Sequence, residues 1–313
     1  MTPALRTPLA VVCHDAGACN VILPWLRRPG LSLRPVMGGP AARLFEAAGN
    51  HGSHPVAAAP DEAALAEALD GAAMLLSGTG WASDLEHRAR LLARERGIFC
   101  AAVIDHWVNY GMRFERGGQT VWPDEFWVTD EHALAIARRT FPGGVVRCLD
   151  NLYLRAEVAA IAPLPRAARV LVALEPARSD WGRGRPGEFQ ALDHFMRERV
   201  AAGIAAEVPV RLRPHPSDEA GKFDHWLAVQ RERGADVSLD RHATLAAAIG
   251  ASTCVVGCES MALVVALGAG RRVLCSLPPW APPCRLPHEG IARLGTAGAA
   301  VAQSGPAKLQ PVG

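Results

Sequence analysis

The sequence predicts an α/β protein built from two parallel-sheet domains in tandem. The chain has 313 residues, whereas a single domain usually has about 100–200 residues. Hydrophobic residues make up 50% of the chain, which is enough for two buried cores and argues against global disorder. Short apolar runs alternate with amphipathic stretches of roughly 10–15 residues, which is the pattern of βαβ units with parallel strands.

The first half of the chain alternates between predicted strands and predicted helices. The strands are Leu9–Cys13, Leu33–Val36, Pro55–Ala58, Ala73–Ser77, Ile98–Ile104, Phe126–Val128 and Val145–Cys148. The helices are Asn20–Arg28, Pro40–Ala48, Asp61–Leu69, Ser83–Arg96, Asp130–Thr140 and Leu152–Ile161. Two helices have start signals, because Asp61 precedes an Ala/Leu stripe and Ser83 stands three residues before Glu86, the spacing of a capping box.

Pro163 and Pro165 interrupt this alternation and indicate a connection between domains. We therefore expect an N-terminal domain at 1–163 and a C-terminal domain at 164–313. The second domain has predicted strands at Arg169–Leu174, Val208–Leu212, Val237–Leu239, Cys254–Val256 and Arg272–Ser276, and predicted helices at Glu188–Ala202, Asp218–Arg233, Ala243–Gly250 and Ser260–Leu267. The tail from Ala297 has no clear pattern and either returns to the first domain or is loose.

Charge and hydropathy bear on several function classes. The net charge is only +2, from 33 basic and 31 acidic residues, which gives no support to a nucleic-acid-binding protein. The longest apolar run, Cys254–Gly270, is interrupted by Glu259 and falls short of the roughly 18–20 residues that a membrane span needs. Without a signal-peptide pattern, we expect a soluble, cytoplasmic protein, with peripheral membrane contact and oligomeric state left open.

The eight cysteines are scattered along the chain and form no CxxC pair. Zinc sites need clustered Cys and His ligands, and Cys254 and Cys258 have no second pair at a matching distance. We therefore expect buried reduced thiols, with no metal site and no cofactor.

Parallel sheets also predict where ligands bind. Ligands of such domains bind at the carboxyl ends of the strands, where helix N-termini present their N–H groups. Two such edges facing each other form one deep cleft. The expected architecture is therefore two Rossmann-like domains facing a cleft, with functional residues directly after strands.

The turn after the first strand contains His14 and Asp15, and Asn20 follows at the predicted helix start. Small residues in this turn let a ligand approach the backbone, and histidine can act as a base near neutral pH. We expect His14 and Asp15 to be catalytic and Asn20 to contact a sugar. The alternative is that Asp15 or Asn20 only caps the helix. The turn does not have the GxGxxG pattern of a dinucleotide site.

Two further strand ends of the first domain have candidate residues. Thr79 lies in a Ser-Gly-Thr-Gly turn at 77–80 that suits a sugar or phosphate, although an ordinary tight turn is an equal alternative. Asp105 follows an apolar strand and is a candidate general base. The segment after it is the densest polar and aromatic cluster of the chain. Its candidate sugar- or acceptor-binding residues are His106, Trp107, Asn109, Tyr110 and Arg113.

Two turns of the second domain suit a nucleotide. Arg213, His215 and Ser217 follow a strand and open a predicted helix, so a cation, an imidazole and helix N–H groups could bind phosphate. Glu259 and Ser260 stand where another strand meets a helix, so the carboxylate could bind ribose hydroxyls and the hydroxyl could donate to phosphate. The alternatives are chance basic residues in the first turn and a Glu259 that only complements the helix dipole.

These motifs resemble the GT-B superfamily of sugar-nucleotide enzymes. Arg-Pro-His-Pro at 213–216 resembles a turn of bacterial sialyltransferases and capsule transferases that holds the phosphate of a CMP-activated sugar. Gly-Cys-Glu-Ser-Met-Ala-Leu at 257–263, followed by Gly-Arg-Arg-Val at 270–273, resembles donor-binding segments of bacterial GT-B enzymes. Asp-His-Trp at 105–107 is similar to a stretch of the nucleotide-sugar hydrolases of the pseudaminic acid pathway. The chain lacks Asp-x-Asp, the E-x7-E signature and the acidic motif of the sialyltransferases.

The resemblance implies an inverting, metal-independent glycosyltransferase of bacterial polysaccharide biosynthesis. Asp105 or His14 would deprotonate the acceptor, while Arg213, His215 and the helix after Glu259 would stabilise the departing phosphate. The implied partners are a nucleotide sugar, CMP- or UDP-linked, and a glycan or other cell-surface acceptor. One alternative is a nucleotide-sugar hydrolase or 2-epimerase on the same fold. The other is a non-catalytic carbohydrate-binding partner protein.

Overall fold

The computed structural model describes residues 1–49, 60–80, 82–175 and 179–295. The chain divides into two compact units, Met1–Leu154 and Arg155–Gly313. This division falls ahead of the proline pair at 163–165. The strand predicted at Pro55–Ala58 and the tail from Ala297 lie outside the described residues.

The first unit contains one six-stranded parallel sheet. Its strands are β1 (Leu9–Cys13), β2 (Leu33–Met37), β3 (Met74–Ser77), β4 (Cys100–Val103), β7 (Glu125–Val128) and β8 (Val145–Cys148), and a separate antiparallel pair is β5 (Glu115–Arg116) with β6 (Gln119–Thr120). The helices are α1 (Ala16–Leu26), α2 (Gly39–Ala47), α3 (Glu62–Leu69), α4 (Leu85–Glu95) and α5 (Glu131–Thr140), with a 3-10 helix at Gly111–Phe114. The sheet order is β2-β1-β3-β4-β7-β8, which reverses direction between β1 and β3.

The second unit repeats this architecture. Its strands are β9 (Val170–Ala173), β10 (Val210–Arg213), β11 (Val237–Leu239), β12 (Cys254–Gly257), β13 (Arg272–Cys275) and β14 (Ile291–Arg293). Its helices are α7 (Gly187–Glu198), α8 (Asp224–Glu232), α9 (Leu245–Gly250) and α10 (Met261–Gly268), while α6 (Leu152–Ala159) crosses the division between the units. All strands are parallel, in the order β11-β10-β9-β12-β13-β14, which reverses direction between β9 and β12.

Each sheet is buried between helices, as parallel sheets require. Every residue of β1 is buried, and the strand packs against α1 and α2 through Trp25 and Phe45 on one face. On the other face it packs against α3 and α4 through Leu65 and Leu85. The second sheet is covered by the apolar sides of α7 and α8 and by α10. The predicted α/β class, with two parallel-sheet units, is confirmed.

Two helix starts differ from the prediction by four residues or more. The first helix begins at Ala16 rather than at Asn20, because the turn after β1 contains only His14 and Asp15. The helix predicted from Asp218 begins only at Asp224. The Asp218 carboxylate instead accepts a hydrogen bond from the backbone N–H of His215 at 2.8 Å and from Lys222 at 2.7 Å. The helix that follows the His215 turn therefore begins nine residues after His215, at Asp224.

The predicted capping box at the start of α4 is wrong. Ser83 Oγ does accept a hydrogen bond, from the backbone N–H of Leu85 at 3.1 Å. Glu86, however, is fully buried and accepts from the backbone N–H of His14 at 2.8 Å. The cap predicted at Asp61 is confirmed, since its carboxylate accepts from the N–H of Ala64 at 2.9 Å.

Two aspartates that cap helices of the first unit allow a matched test of the contact between Asp130 and Trp107. Asp130 Oδ1 caps α5, and its Oδ2 also accepts from the indole N–H of Trp107 at 2.8 Å. Asp61 only caps α3. Losing a cap costs about 0.5–2 kcal/mol, and leaving a buried donor unpaired costs about 1–3 kcal/mol more. We expect Asp130→Ala to lower the free energy of unfolding by about 2–4 kcal/mol and Asp61→Ala by about 1 kcal/mol, measured by urea unfolding. Equal losses would contradict the assigned contact.

Candidate functional site

The candidate site of the first unit lies at the carboxyl ends of three adjacent strands. His14 and Asp15 follow β1, Thr79 follows β3, and Asp105 comes shortly after β4. The strand order reverses between β1 and β3, and a doubly wound sheet opens a ligand-binding crevice at that point. The structure therefore brings four of the predicted site residues to one edge.

His14 and Asp15 form a dyad at this edge. Imidazole Nδ1 lies 2.8 Å from Asp15 Oδ1, and the two side chains are 22% and 29% exposed. A carboxylate at Nδ1 selects the tautomer with its proton on Nδ1, which leaves Nε2 able to accept a proton. Asp15 stands at the N-cap position of α1 without capping the helix through its side chain, because its carboxylate is directed to the imidazole instead.

Asp105 is paired with a buried arginine. Its Oδ1 lies 2.9 Å from Arg113 Nη1, and the Arg113 side chain is only 7% exposed. Arg113 also donates to the carbonyl and hydroxyl oxygens of Thr79, each at 3.2 Å, and to the carbonyl of Val108 at 3.1 Å. The Thr79 hydroxyl in turn donates to the carbonyl of Val103 at 2.8 Å. Arg113 and Thr79 therefore form a buried support behind the Asp105 carboxylate.

Glycines make room for the side chains of His14, Asp15 and Asp105. A methyl group on Gly17 would overlap Asp105 Oδ2, and one on Gly80 would overlap the Asp15 carboxylate. A methyl group on Gly39 would lie 2.6 Å from His14 Nε2. These three side chains are thus held against bare backbone, and a larger residue at any of the three glycines would displace one of them.

Two buried charged residues of α4 also lie at this site, although neither was predicted from the sequence to be a site residue. Glu86 Oε1 accepts from the N–H of His14, while its Oε2 is buried and has no hydrogen-bond partner among the described residues. Burial raises the pKa of Glu86. Arg90 donates to Ser77 Oγ and to the Gly78 carbonyl, each at 3.0 Å, and burial lowers its pKa to about 10. Both residues lie on the Leu/Ala side of α4, and this spacing in the sequence could have indicated that they are buried.

The aromatic segment after Asp105 is mostly packed inside the unit. Trp107 is buried with its indole N–H on Asp130, and His106 lies beside the Trp107 ring at 5.3 Å between centroids. Tyr110 is buried, stacks on Phe141 at 6.1 Å and donates to the Ala133 carbonyl at 3.4 Å. Burial raises the pKa of Tyr110. The structure thus places Trp107 and Tyr110 among core residues.

Two further predicted sugar contacts are more accessible. Asn109 is half-buried and has a left-handed backbone, with φ of 61°. This conformation is uncommon for residues other than glycine, although asparagine tolerates it best. Asn20 is half-buried within α1.

In the second unit, Arg213 ends β10 and is held by a carboxylate. Its Nη1 lies 2.6 Å from Asp240 Oδ2 and donates to the His242 carbonyl at 2.9 Å. His215 is exposed, with Nδ1 at 2.7 Å from Ser217 Oγ. Arg213 and Asp240 belong to one hydrogen-bonded cluster, whereas His215 and Ser217 pair with each other two residues further along the turn.

The turn before α10 already binds an internal carboxylate. Glu175, two residues after β9, accepts from the backbone N–H groups of Cys258 at 3.0 Å and Glu259 at 2.5 Å, and burial raises its pKa. The Glu259 carboxylate forms a bidentate pair with Arg285, with the shorter contact at 2.7 Å. Ser260 caps the helix through the N–H of Ala262. Two backbone N–H groups of the turn before α10 are therefore engaged by Glu175.

The described residues also bear on metal binding, membrane insertion and the state of the cysteines. Among the described residues, no group of three or more His, Cys, Asp or Glu side chains is arranged to hold a metal ion. No helix in the described part of the chain is long and apolar enough to cross a membrane. None of the eight cysteines forms a disulfide bond. Cys148, Cys258 and Cys284 are half-buried, and the other five are buried.

Gly17 gives a direct test of the site geometry. Gly17→Ala should push Asp105 away from Arg113 and lower the free energy of unfolding by about 1–3 kcal/mol, measured by urea unfolding. Gly111→Ala is the control, because nothing lies within 4 Å of its added methyl group. In an Asp105→Ala background, Gly17→Ala should cost nothing, since the clash is gone. A similar cost in both backgrounds would show that the Asp105 contact is misassigned.

The comparisons with known proteins concern the fold. No family model matches the chain, and no curated protein matches it. Among solved structures, the UDP-GlcNAc 2-epimerase of Neisseria meningitidis bound to UDP-GlcNAc has a TM-score of 0.56 at 9% identity, covering 85% of this chain and 82% of that one. The Methanocaldococcus jannaschii UDP-GlcNAc 2-epimerase in complex with UDP-GlcNAc and UDP has a TM-score of 0.53 at 9% identity, with coverages of 85% and 83%.

A third solved structure, of S. aureus MnaA with UDP, has a TM-score of 0.54 at 9% identity and covers 85% of this chain and 78% of that one. At such identities the likeness concerns the fold. Together with the two parallel six-stranded sheets, it shows that the chain has the GT-B-like fold of these structures.

Proposed function

We propose that the chain is an enzyme that uses a nucleotide-activated sugar, and that it is an inverting, metal-independent glycosyltransferase. The observation that carries the proposal is the His14–Asp15 dyad at the point where the first sheet reverses its strand order. A histidine oriented by a carboxylate, at an edge open to ligands, is an arrangement for removing a proton from a hydroxyl group.

In this mechanism His14 is the general base. Nε2 takes the proton of an acceptor hydroxyl while that oxygen attacks the anomeric carbon of the donor sugar, and the nucleotide phosphate departs. Asp15, 2.8 Å from Nδ1, stabilises the imidazolium that forms. A positioned base of this kind contributes about 10²–10⁴-fold to a rate.

Asp105 takes a binding role in this scheme. Arg113 occupies its Oδ1, and Oδ2 lies against Gly17 in the first turn of α1. A carboxylate held this firmly suits a hydrogen bond from a hydroxyl of the sugar or the acceptor. Of the two bases left open by the sequence, we therefore assign the proton transfer to His14.

The donor is assigned to the second unit. Arg213 and His215 supply positive and hydrogen-bonding groups for a nucleotide phosphate. The solved structures of similar fold named above contain UDP or UDP-GlcNAc, which supports a nucleotide-sugar donor. The proposed acceptor is a glycan or another cell-surface component, and the proposed location of the reaction is the cytoplasm, in polysaccharide biosynthesis.

A second candidate is epimerisation or hydrolysis of a nucleotide sugar, favoured by the structural likeness to UDP-GlcNAc 2-epimerases. Incubation with UDP-N-acetylglucosamine or a CMP-linked sugar, without acceptor, separates the candidates. Free sugar indicates a hydrolase, and an epimeric nucleotide sugar indicates an epimerase. A transferase turns over only after an acceptor is added. Binding without turnover under all conditions would indicate a carbohydrate-binding partner protein.

The role of His14 predicts a split between two variants. His14→Ala should slow turnover of the nucleotide sugar by about 10²–10⁴-fold, measured as nucleotide release in the presence of acceptor, with nucleotide affinity retained. Asp105→Asn should act mainly on KM. His132→Ala is the matched control, since His132 is exposed on α5 of the same unit. If Asp105→Asn abolishes turnover while His14→Ala stays active, the two roles must be exchanged.

The proposed mechanism also predicts independence from divalent metal. Because arginine and histidine side chains compensate the charge of the departing phosphate, turnover should persist in EDTA at the rate seen without it. Complete loss on chelation, with recovery after Mg²⁺ or Mn²⁺ is returned, would contradict the mechanism.

A further inference from the structure

The carboxyl ends of β10 and β11 form a second cluster of ionisable groups. The two strands pair in parallel with Leu212 opposite Leu239, so Arg213 and Asp240, the next residues, lie side by side. The backbone N–H of Asp240 donates to the Leu212 carbonyl at 2.7 Å, which continues the pairing. The cluster is therefore built on two hydrogen-bonded strands.

Asp240 is the centre of this cluster. Its side chain is 2% exposed, and Oδ2 accepts from Arg213 Nη1 at 2.6 Å. Oδ1 lies 2.5 Å from Nδ1 of His242, a residue that the sequence analysis did not consider. Burial would raise the pKa of Asp240, but the hydrogen bonds from His242 and Arg213 outweigh it and hold the pKa below its ordinary value. The carboxylate is therefore ionised near neutral pH.

One buried carboxylate thus orients two donors toward solvent. The His242 side chain is 35% exposed; with Nδ1 used by Asp240, Nε2 has no hydrogen-bond partner in the part of the chain that the structure describes. The Arg213 side chain is 24% exposed, and only its Nη1 is used among the described contacts. Asp240 balances the charge of Arg213, and the remaining nitrogen atoms of Arg213 and His242 are left for a ligand anion.

The other expected phosphate position of this unit is occupied by a carboxylate. Glu175 accepts the backbone N–H groups of Cys258 and Glu259, in the turn before α10. A small cavity beside it is also lined by Glu188, which is itself paired through Oε1 with Lys222 at 2.6 Å. These groups are therefore already engaged within the protein. The edge of β10 and β11, where Arg213 and His242 keep nitrogen atoms for a ligand, is the more favourable place for an anion.

We propose that His242 binds the phosphate of the nucleotide ligand through Nε2, and that Asp240 is the positioning residue that holds His242 and Arg213 in place for it. The proposal rests on the proposed function, because it takes the ligand to be a nucleotide. His215, paired with Ser217 on the neighbouring turn, lies two residues beyond Arg213 and extends the same edge.

The test compares nucleotides with nucleosides, using calorimetry with UDP and CMP against uridine and cytidine. His242→Ala should weaken binding of the nucleotide by about tenfold or more, the effect of one charged hydrogen bond, and leave nucleoside binding unchanged. His242→Phe, which keeps a ring of similar size but has no hydrogen-bonding nitrogen, should behave in the same way. Asp240→Asn should also lower the affinity for the nucleotide and leave the affinity for the nucleoside unchanged. Asparagine has only one acceptor oxygen and no charge, so it cannot hold both Arg213 and His242 in place. His225→Ala, at an exposed histidine of α8, is the control and should bind like wild type.

The outcomes separate this proposal from the proposed function. If wild type binds a nucleotide and both His242 variants bind it equally well, the assignment of His242 is overturned. Equal losses for nucleotide and nucleoside would also overturn it, since a phosphate contact cannot affect a nucleoside. If wild type binds none of the nucleotides, the proposed function itself fails, and this inference fails with it.

Discussion

Parallel strand pairing is the constraint on which both candidate sites depend. Because all strands of a parallel sheet run in one direction, every residue that follows a strand emerges at the same edge. In the first sheet this brings the turn after β1 together with those after β3 and β4, although their residues are far apart in sequence. In the second sheet it brings Arg213 beside Asp240. The side chains proposed to bind a ligand or transfer a proton in each unit are therefore those that strand pairing brings together.

Internal carboxylates are the second recurring feature. Arg113 is paired with Asp105, Arg213 with Asp240, and Arg285 with Glu259. Such pairs add little net stability, because desolvation offsets the attraction in the buried pairs and solvent screens it in the more exposed Arg285 pair, but charge-assisted hydrogen bonds impose a definite geometry. The pairs therefore act mainly by holding side chains in position. Glu175 performs a related task, since it fills an anion position with a group of the protein itself.

The local pattern of the sequence predicted most strands because apolar runs bounded by turns are local signals. Leu9–Cys13 and Val145–Cys148 were predicted with the observed bounds. Contacts between distant segments were not predictable in the same way. Glu86 has the spacing of a capping residue, but its carboxylate meets the backbone of His14, 72 positions away. Glu175 and Asp240 were overlooked because nothing near them in sequence reveals which N–H groups or side chains they will meet.

We have proposed that this protein binds a nucleotide-activated sugar, and thermal melting with CMP, UDP, GDP and TDP tests that proposal without an acceptor. A ligand that binds only the folded protein stabilises it by about 2.7 kcal/mol at a hundredfold excess over its Kd. We expect one nucleotide of the four to raise Tm in a concentration-dependent way, while the matching nucleoside raises it much less. If none of the four shifts Tm at millimolar concentration, the proposed binding is refuted.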